Sequence, residues 1–151
     1  MDEVSGKRTD IVFLVIDDDI EITDLLTAML KTDIHHTIIS HDGNDGLEKA
    51  RKFKPDLILL NVNLPNKDGR EVCRILKSDI STGHIPVIML TGRMDYETER
   101  QCYNAGANDF LTKPFDVSEL IARINAILNT GAKQEDSINT YKHFPESSYG
   151  I

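Results

Sequence analysis

The stretch Ile11-Val-Phe-Leu-Val-Ile-Asp-Asp-Asp19 runs six apolar residues straight into three carboxylates. An unbroken apolar run of this length, rich in β-branched side chains, reads as a strand buried on both faces, the pattern of a parallel sheet covered by helices. Outward from it, short apolar runs recur at Thr37 to Ile39, Leu57 to Leu60, Pro86 to Leu90 and Phe110 to Leu111. Between them Ile22, Leu25, Leu26, Met29 and Leu30 fall at helical spacing, as do Val72, Ile75 and Leu76, and later Leu120, Ile121, Ile124, Ile127 and Leu128. The segments Asp45 to Phe53 and Tyr96 to Ala105 complete a set of five predicted helices. Turn chemistry at Asp42-Gly43, Lys54-Pro55-Asp56, Asp68-Gly69, Gly83 and Gly106 marks the changeovers. The alternation predicts an α/β fold with a parallel sheet covered on both faces.

At 151 residues, with 40% hydrophobic and 28% charged side chains, the chain has the content of one folded domain. We place that domain at 10–129, after an extension at 1–9 and before a tail at 130–151. The tail is polar apart from Tyr141, Phe144 and Tyr149, and reads as mobile, with docking of its aromatics as the alternative. The formal charge of −8 disfavours direct binding to nucleic-acid phosphates or anionic membranes, and no apolar run is long enough to span a bilayer. A cytoplasmic protein with a protein partner is expected. Cys73 and Cys102 belong to no metal-binding or redox spacing and read as buried thiols. Adjacent His35 and His36 cannot aim at one metal ion and read as loop residues.

In an open parallel sheet, ligands bind beyond the carboxyl ends of the strands. The residues there are Asp17, Asp18 and Asp19, then Asn61, then Thr91-Gly92, then Thr112-Lys113-Pro114-Phe115. Taken alone, the acid triplet is explained by Asp19 capping a helix beside two solvated neighbours, Thr91 by a strand-end hydroxyl, and Lys113 by an ordinary surface charge. Together they offer oxygens for a hard cation and a cation plus a hydroxyl for a phosphoryl group.

Four blocks in order then resemble the receiver domain of two-component response regulators: Phe13-Leu-Val-Ile-Asp-Asp-Asp19, Pro55-Asp-Leu-Ile-Leu-Leu-Asn-Val-Asn-Leu-Pro-Asn-Lys-Asp-Gly69, Ile85-Pro-Val-Ile-Met-Leu-Thr-Gly92 and Gly106-Ala-Asn-Asp-Phe-Leu-Thr-Lys-Pro-Phe115. The resemblance covers about residues 10 to 129. It implies a single doubly wound five-stranded parallel sheet in order 2-1-3-4-5, flavodoxin-like and CheY-like, and the relay of a phosphoryl group from a kinase histidine to an aspartate. By the same resemblance, Asp17, Asp18 and the carbonyl of Asn63 would hold Mg²⁺, Thr91 would bond a phosphoryl oxygen and Lys113 would pair with it. Phe110 occupies the place of the family's switch aromatic, though without a hydroxyl it serves equally as a packed core ring. Lys113-Pro114 resembles the family's cis peptide.

The acceptor position is Asn61. A carboxylate oxygen can attack phosphorus; a neutral amide oxygen, with its lone pair delocalised, is no comparable nucleophile. Losing that charge also leaves Mg²⁺ possible but weakly held, while the amide NH₂ can donate to Asp17 or Asp18 in the cation's stead. Three readings remain. Asn61 is natural and the domain is a pseudo-receiver; it is a substitution introduced into a conventional receiver; or another acid, Asp18 or Asp56, accepts the phosphate. An Mg²⁺-dependent phosphatase is a remote alternative, since Asp17-x-Asp19 loosely resembles haloacid-dehalogenase enzymes, but Ile20-Glu21 stands where those need Gly-Thr. We otherwise expect no catalysis.

Receivers of this family signal through the face made by the fourth helix, fifth strand and fifth helix, and Asp109, Glu119 and Arg123 match a dimerising subset there. Glu99 falls where that subset has a basic partner for Glu119, which predicts a monomer or weak homodimer. Solvated surface charge is the simpler account of Asp109 and Arg123. A histidine kinase or an effector domain is the implied partner.

Overall fold

The computed structural model describes residues 10–31, 35–93 and 95–130. Strands and helices alternate strictly: β1 (Ile11–Ile16), α1 (Ile20–Leu30), β2 (His35–Ser40), α2 (Gly43–Phe53), β3 (Leu57–Asn61), α3 (Gly69–Ser78), β4 (Val87–Thr91), α4 (Tyr96–Asn104), β5 (Asp109–Thr112) and α5 (Val117–Thr130). The strands form one parallel sheet in the order β2-β1-β3-β4-β5, as expected. The residues at 1–9 and 131–151, including the aromatics of the tail, lie outside the described residues.

Side chains alternate across a strand, so each buried run feeds two cores. Leu14, Ile16, Ile58, Leu60, Val87 and Met89 point to the face covered by α2, α3 and α4, where they meet Leu47, Ala50, Val72, Leu76, Cys73 and Cys102. Phe13, Val15, Leu57, Leu59, Ile88 and Leu90 point to the other face and meet Leu26 and Leu30 of α1 and Leu120 and Ile124 of α5. Both cysteines are fully buried, as the sequence predicts.

His35 and His36 are not loop residues. They open β2, paired with Ile11 and Val12, and His35 sets its ring edge-on to Phe13 at 5.8 Å between centroids. β2 is an edge strand with one partner, so its polar start is tolerated where a central strand would exclude it.

Register carries the candidate residues to one rim. Ile16 stands opposite both Ser40 and Leu60, Asn61 opposite Leu90, and Thr91 opposite Thr112. The residues following β1, β3, β4 and β5 therefore emerge side by side. Helix starts are fixed by side-chain caps: Asp19, Asp42, Asp68 and Asp95 each accept backbone N–H bonds in the first turn of the helix that follows. At α3 the approach is closest: a Cβ on Gly69 would collide with the carbonyl oxygen of Asn61 and come within 2.9 Å of Val62 Cα. Only glycine lets α3 begin directly beneath the end of β3. The Lys113-Pro114 peptide is cis.

Candidate functional site

Asp17 follows β1 and is fully buried. Its backbone N–H continues the sheet by donating to Ser40 O at 3.0 Å, which fixes the carboxylate beneath the rim. One carboxylate oxygen accepts from the Asp19 N–H at 3.0 Å and the other from Lys113 Nζ at 2.8 Å. This is a buried ion pair: Asp17 has no exposed side-chain surface and Lys113 has 19%. Uncompensated, either charge would be expensive to desolvate.

Asn61 closes β3 with 6% of its surface exposed, and its carboxamide is used at both ends. Oδ1 accepts from Lys113 Nζ at 3.2 Å, while Nδ2 donates to Asp18 Oδ1 at 3.2 Å and to the backbone carbonyl of Asn63 at 2.8 Å. The orientation follows from the neighbours, since the reverse would turn an oxygen towards two acceptors and an NH₂ towards an ammonium. Of the two partners expected for the NH₂, the tertiary structure selects Asp18, because Asp17 already has Lys113.

The fit to a divalent cation follows directly. Two carboxylates and a carbonyl are the right donors for a hard cation. In this arrangement, however, the Asn61 NH₂ takes Asp18 Oδ1 and Asn63 O, and Lys113 takes Asp17 Oδ2. The residues as arranged do not fit a cation; it would have to displace the amide. Among the described residues, no group of three or more His, Cys, Asp or Glu side chains could hold a metal.

Thr91 ends β4 fully buried and its hydroxyl accepts from the Arg93 N–H at 3.0 Å. Phe110 lies on β5, partly buried and packed on the core shared with α2, α3 and α4. Asp19 follows Asp17 and Asp18 and serves as the N-cap of α1, accepting from Glu21 N at 2.9 Å and Ile22 N at 3.4 Å. Asp56 is excluded as an acceptor at this site: it precedes β3, about 16 Å from Asn61 at 3.3 Å per residue, and its carboxylate accepts from Val12 N at 2.8 Å.

On the face of α4, β5 and α5, Arg123 binds within its own chain, donating to Asp109 Oδ1 at 2.6 Å and Glu119 Oε2 at 3.3 Å. The groups expected to bridge two copies are thus already partnered.

Sequence reasoning missed a second polar system beside the rim. Arg70, in the first turn of α3, forks onto Asp68 through Nε at 2.8 Å and Nη2 at 2.5 Å, and reaches Gln101 Oε1 of α4 through Nη1. The guanidinium bond is the main cause that holds the Asp68 carboxyl below its ordinary value of 3.8. The signal was there: a cation in a helix's first turn opposes the macrodipole and needs a reason.

Comparison with known proteins agrees with this geometry. The model of the response regulator receiver domain matches residues 13–125. The DNA-binding dual master transcriptional regulator RpaA of Synechocystis is 43% identical over 115 residues, 76% of this chain and 48% of that protein. The DNA-binding response regulator MtrA of Mycobacterium tuberculosis is 37% identical over the same length, 76% of this chain and 49% of its own. The chain thus spans about half the length of these relatives. Among solved structures, the beryllofluoride-activated receiver domain of Klebsiella pneumoniae RstA superposes with a TM-score of 0.73 at 28% identity, covering 79% of this chain and 99% of that one. The Mn²⁺-bound form of response regulator Rcp1 gives 0.66 at 29% identity, covering 82% and 96%. No described helix is long and apolar enough to cross a membrane. With the sheet order, the rim and these likenesses in agreement, the chain belongs to the response regulator receiver domain family.

Proposed function

We propose that this receiver, with its folded module at about residues 10 to 129, signals by protein binding without phosphorylation. The observation that carries the reading is the Asn61 carboxamide, which bonds Lys113, Asp18 and the Asn63 carbonyl at once and offers no nucleophilic oxygen. The Asn61 amide nitrogen already occupies Asp18 Oδ1 and the Asn63 carbonyl, so Mg²⁺ must displace it and binds weakly. The partner is a histidine kinase or an effector domain, on another chain or on a longer version of this one. The acidic charge argues against direct nucleic-acid contact. Arg123's use within the chain favours a monomer or weak homodimer on the α4, β5 and α5 face.

The second reading is a conventional receiver in which Asn61 was introduced; its other parts, Asp17, Thr91 and Lys113, stand ready for it. One experiment tests the proposal and separates the two chemistries: incubation with acetyl phosphate or beryllofluoride plus Mg²⁺, with intact mass and amide NMR read on this chain and on Asn61→Asp. We expect no adduct and no spectral change in the starting protein, and both in the variant. An adduct of one phosphoryl mass on the starting chain overturns the proposal and, mapped to Asp18, would identify that acid as the acceptor.

A further inference from the structure

One side chain closes the seam between α3 and α4. Arg70 holds both carboxylate oxygens of Asp68, the N-cap of its own helix, and extends Nη1 to Gln101 Oε1. Gln101 in turn donates to Glu97 Oε2 at 2.9 Å, which also accepts from Arg100 at 2.8 Å, so the contact is tied into the first two turns of α4. Packing beside the fork is thin. An open cavity of about 280 Å³ separates the β3–α3 loop from the start of α4, lined by Val62, Asn63, Arg70, Thr98 and Gln101 among others. Cys73 of α3, one turn from Arg70, and Cys102 of α4, next to Gln101, share one core cluster with no exposed surface.

We propose that Arg70 is a latch that seats α4 against α3 and couples that seat to the amide-held rim. The links are short. Asn61 Nδ2 fixes the Asn63 carbonyl, Gly69 N donates to Val62 O at 2.7 Å, and Asp68 hands the guanidinium on to Gln101. A change at residue 61 therefore reaches α4 through the β3–α3 loop with no phosphoryl group involved. A cation in the first turn gains nothing from its own helix, and each of its three side-chain nitrogens donates to the cap or to α4. The coupling rests on the reading of Asn61 given above; the latch itself does not.

The two thiols report the seat. Burial pushes both up to about 11, so at pH 8 roughly one in a thousand is thiolate and labelling by Ellman's reagent waits for the seam to open. In the full chain, Arg70→Ala and Gln101→Ala should each raise the Cys102 labelling rate at least about tenfold, with almost no dependence on low urea, the mark of local rather than global opening. Arg70→Lys, which keeps the charge but loses the fork, should behave like Arg70→Ala. If Arg70→Ala does not fold, Gln101→Ala decides. Unchanged rates, or rates that rise only with lost global stability, overturn the latch. For the coupling, Asn61→Ala should raise the rate in the otherwise unchanged chain and add nothing in the Arg70→Ala background; equal increments in both backgrounds overturn it and leave the latch standing. The acetyl phosphate mass experiment judges the Asn61 reading separately, so the two failures are distinguishable.

Discussion

Lys113 Nζ lies 2.8 Å from Asp17 Oδ2 and 3.2 Å from Asn61 Oδ1, so a single ammonium ties the buried acid after β1 to the amide that ends β3. It is the cation of the site, and the surrounding charges are arranged around it.

Removing Lys113 should therefore unfold more than the rim. Lys113→Ala leaves the Asp17 carboxylate buried without a counter-charge, which costs about 3 to 5 kcal/mol. Lys113→Ala together with Asp17→Asn should recover much of that loss. Urea denaturation of the single and double variants measures both; a single variant within about 1 kcal/mol of the starting protein would show the pair to be better solvated than its burial indicates.

The metal dependence should be a property of residue 61. In Asn61→Asp, the amide donor is gone and the oxygens of Asp18 and Asn63 are released. At a tenfold excess of Mg²⁺ over a millimolar dissociation constant the stabilisation is about 1.4 kcal/mol, removed by EDTA. The starting protein should show little or none of it. Thermal unfolding with and without the cation reads the difference, and an equal shift in both chains would refute the displacement argument.

Gly69 should tolerate no side chain. Gly69→Ala places a methyl against the Asn61 carbonyl and Val62 Cα, backbone atoms that cannot give way singly. We expect a loss of about 3 kcal/mol or more, or failure to fold, against the ~0.5 to 1 kcal/mol gain that alanine ordinarily brings to a helix. Far-ultraviolet circular dichroism during denaturation suffices to decide.

Stability should fall on the acid side. The Ser40 hydroxyl foremost lowers Asp45, the Arg70 guanidinium lowers Asp68, and the backbone N–H groups of Ser81 and Thr98 lower Asp79 and Asp95, all from an ordinary 3.8. Above 3.8 these carboxyls are charged in folded and unfolded chains alike, and their contribution is complete. Below it the unfolded chain takes up protons first, and the contribution drains away as the pH passes through the lowered folded values. Denaturation midpoints between pH 2 and 6 should show this limb, shallower in Asp68→Asn; an identical limb would mean that Asp68 is not among its sources.

Much of this molecule is readable in one dimension. Apolar runs and helical spacing located all ten elements, and four motif blocks placed Asp17, Asp18, Asn61, Thr91 and Lys113 on one rim, because local propensity and strand-end position are properties of adjacent residues. His35 and His36 escaped, since whether a polar start belongs to a strand depends on its being at the sheet's edge, which no local pattern records.

That residue 61 carries a carboxamide was legible in the sequence alone. What the carboxamide touches was not: Asp18 is 43 residues away, Lys113 is 52, and Arg70 meets Gln101 across 31. Those meetings are set by parallel register and helix packing, which act between segments. The choice of Asp18 over Asp17, and Arg123's partners within its own chain, follow from competition for donors that exists only once the strands stand side by side.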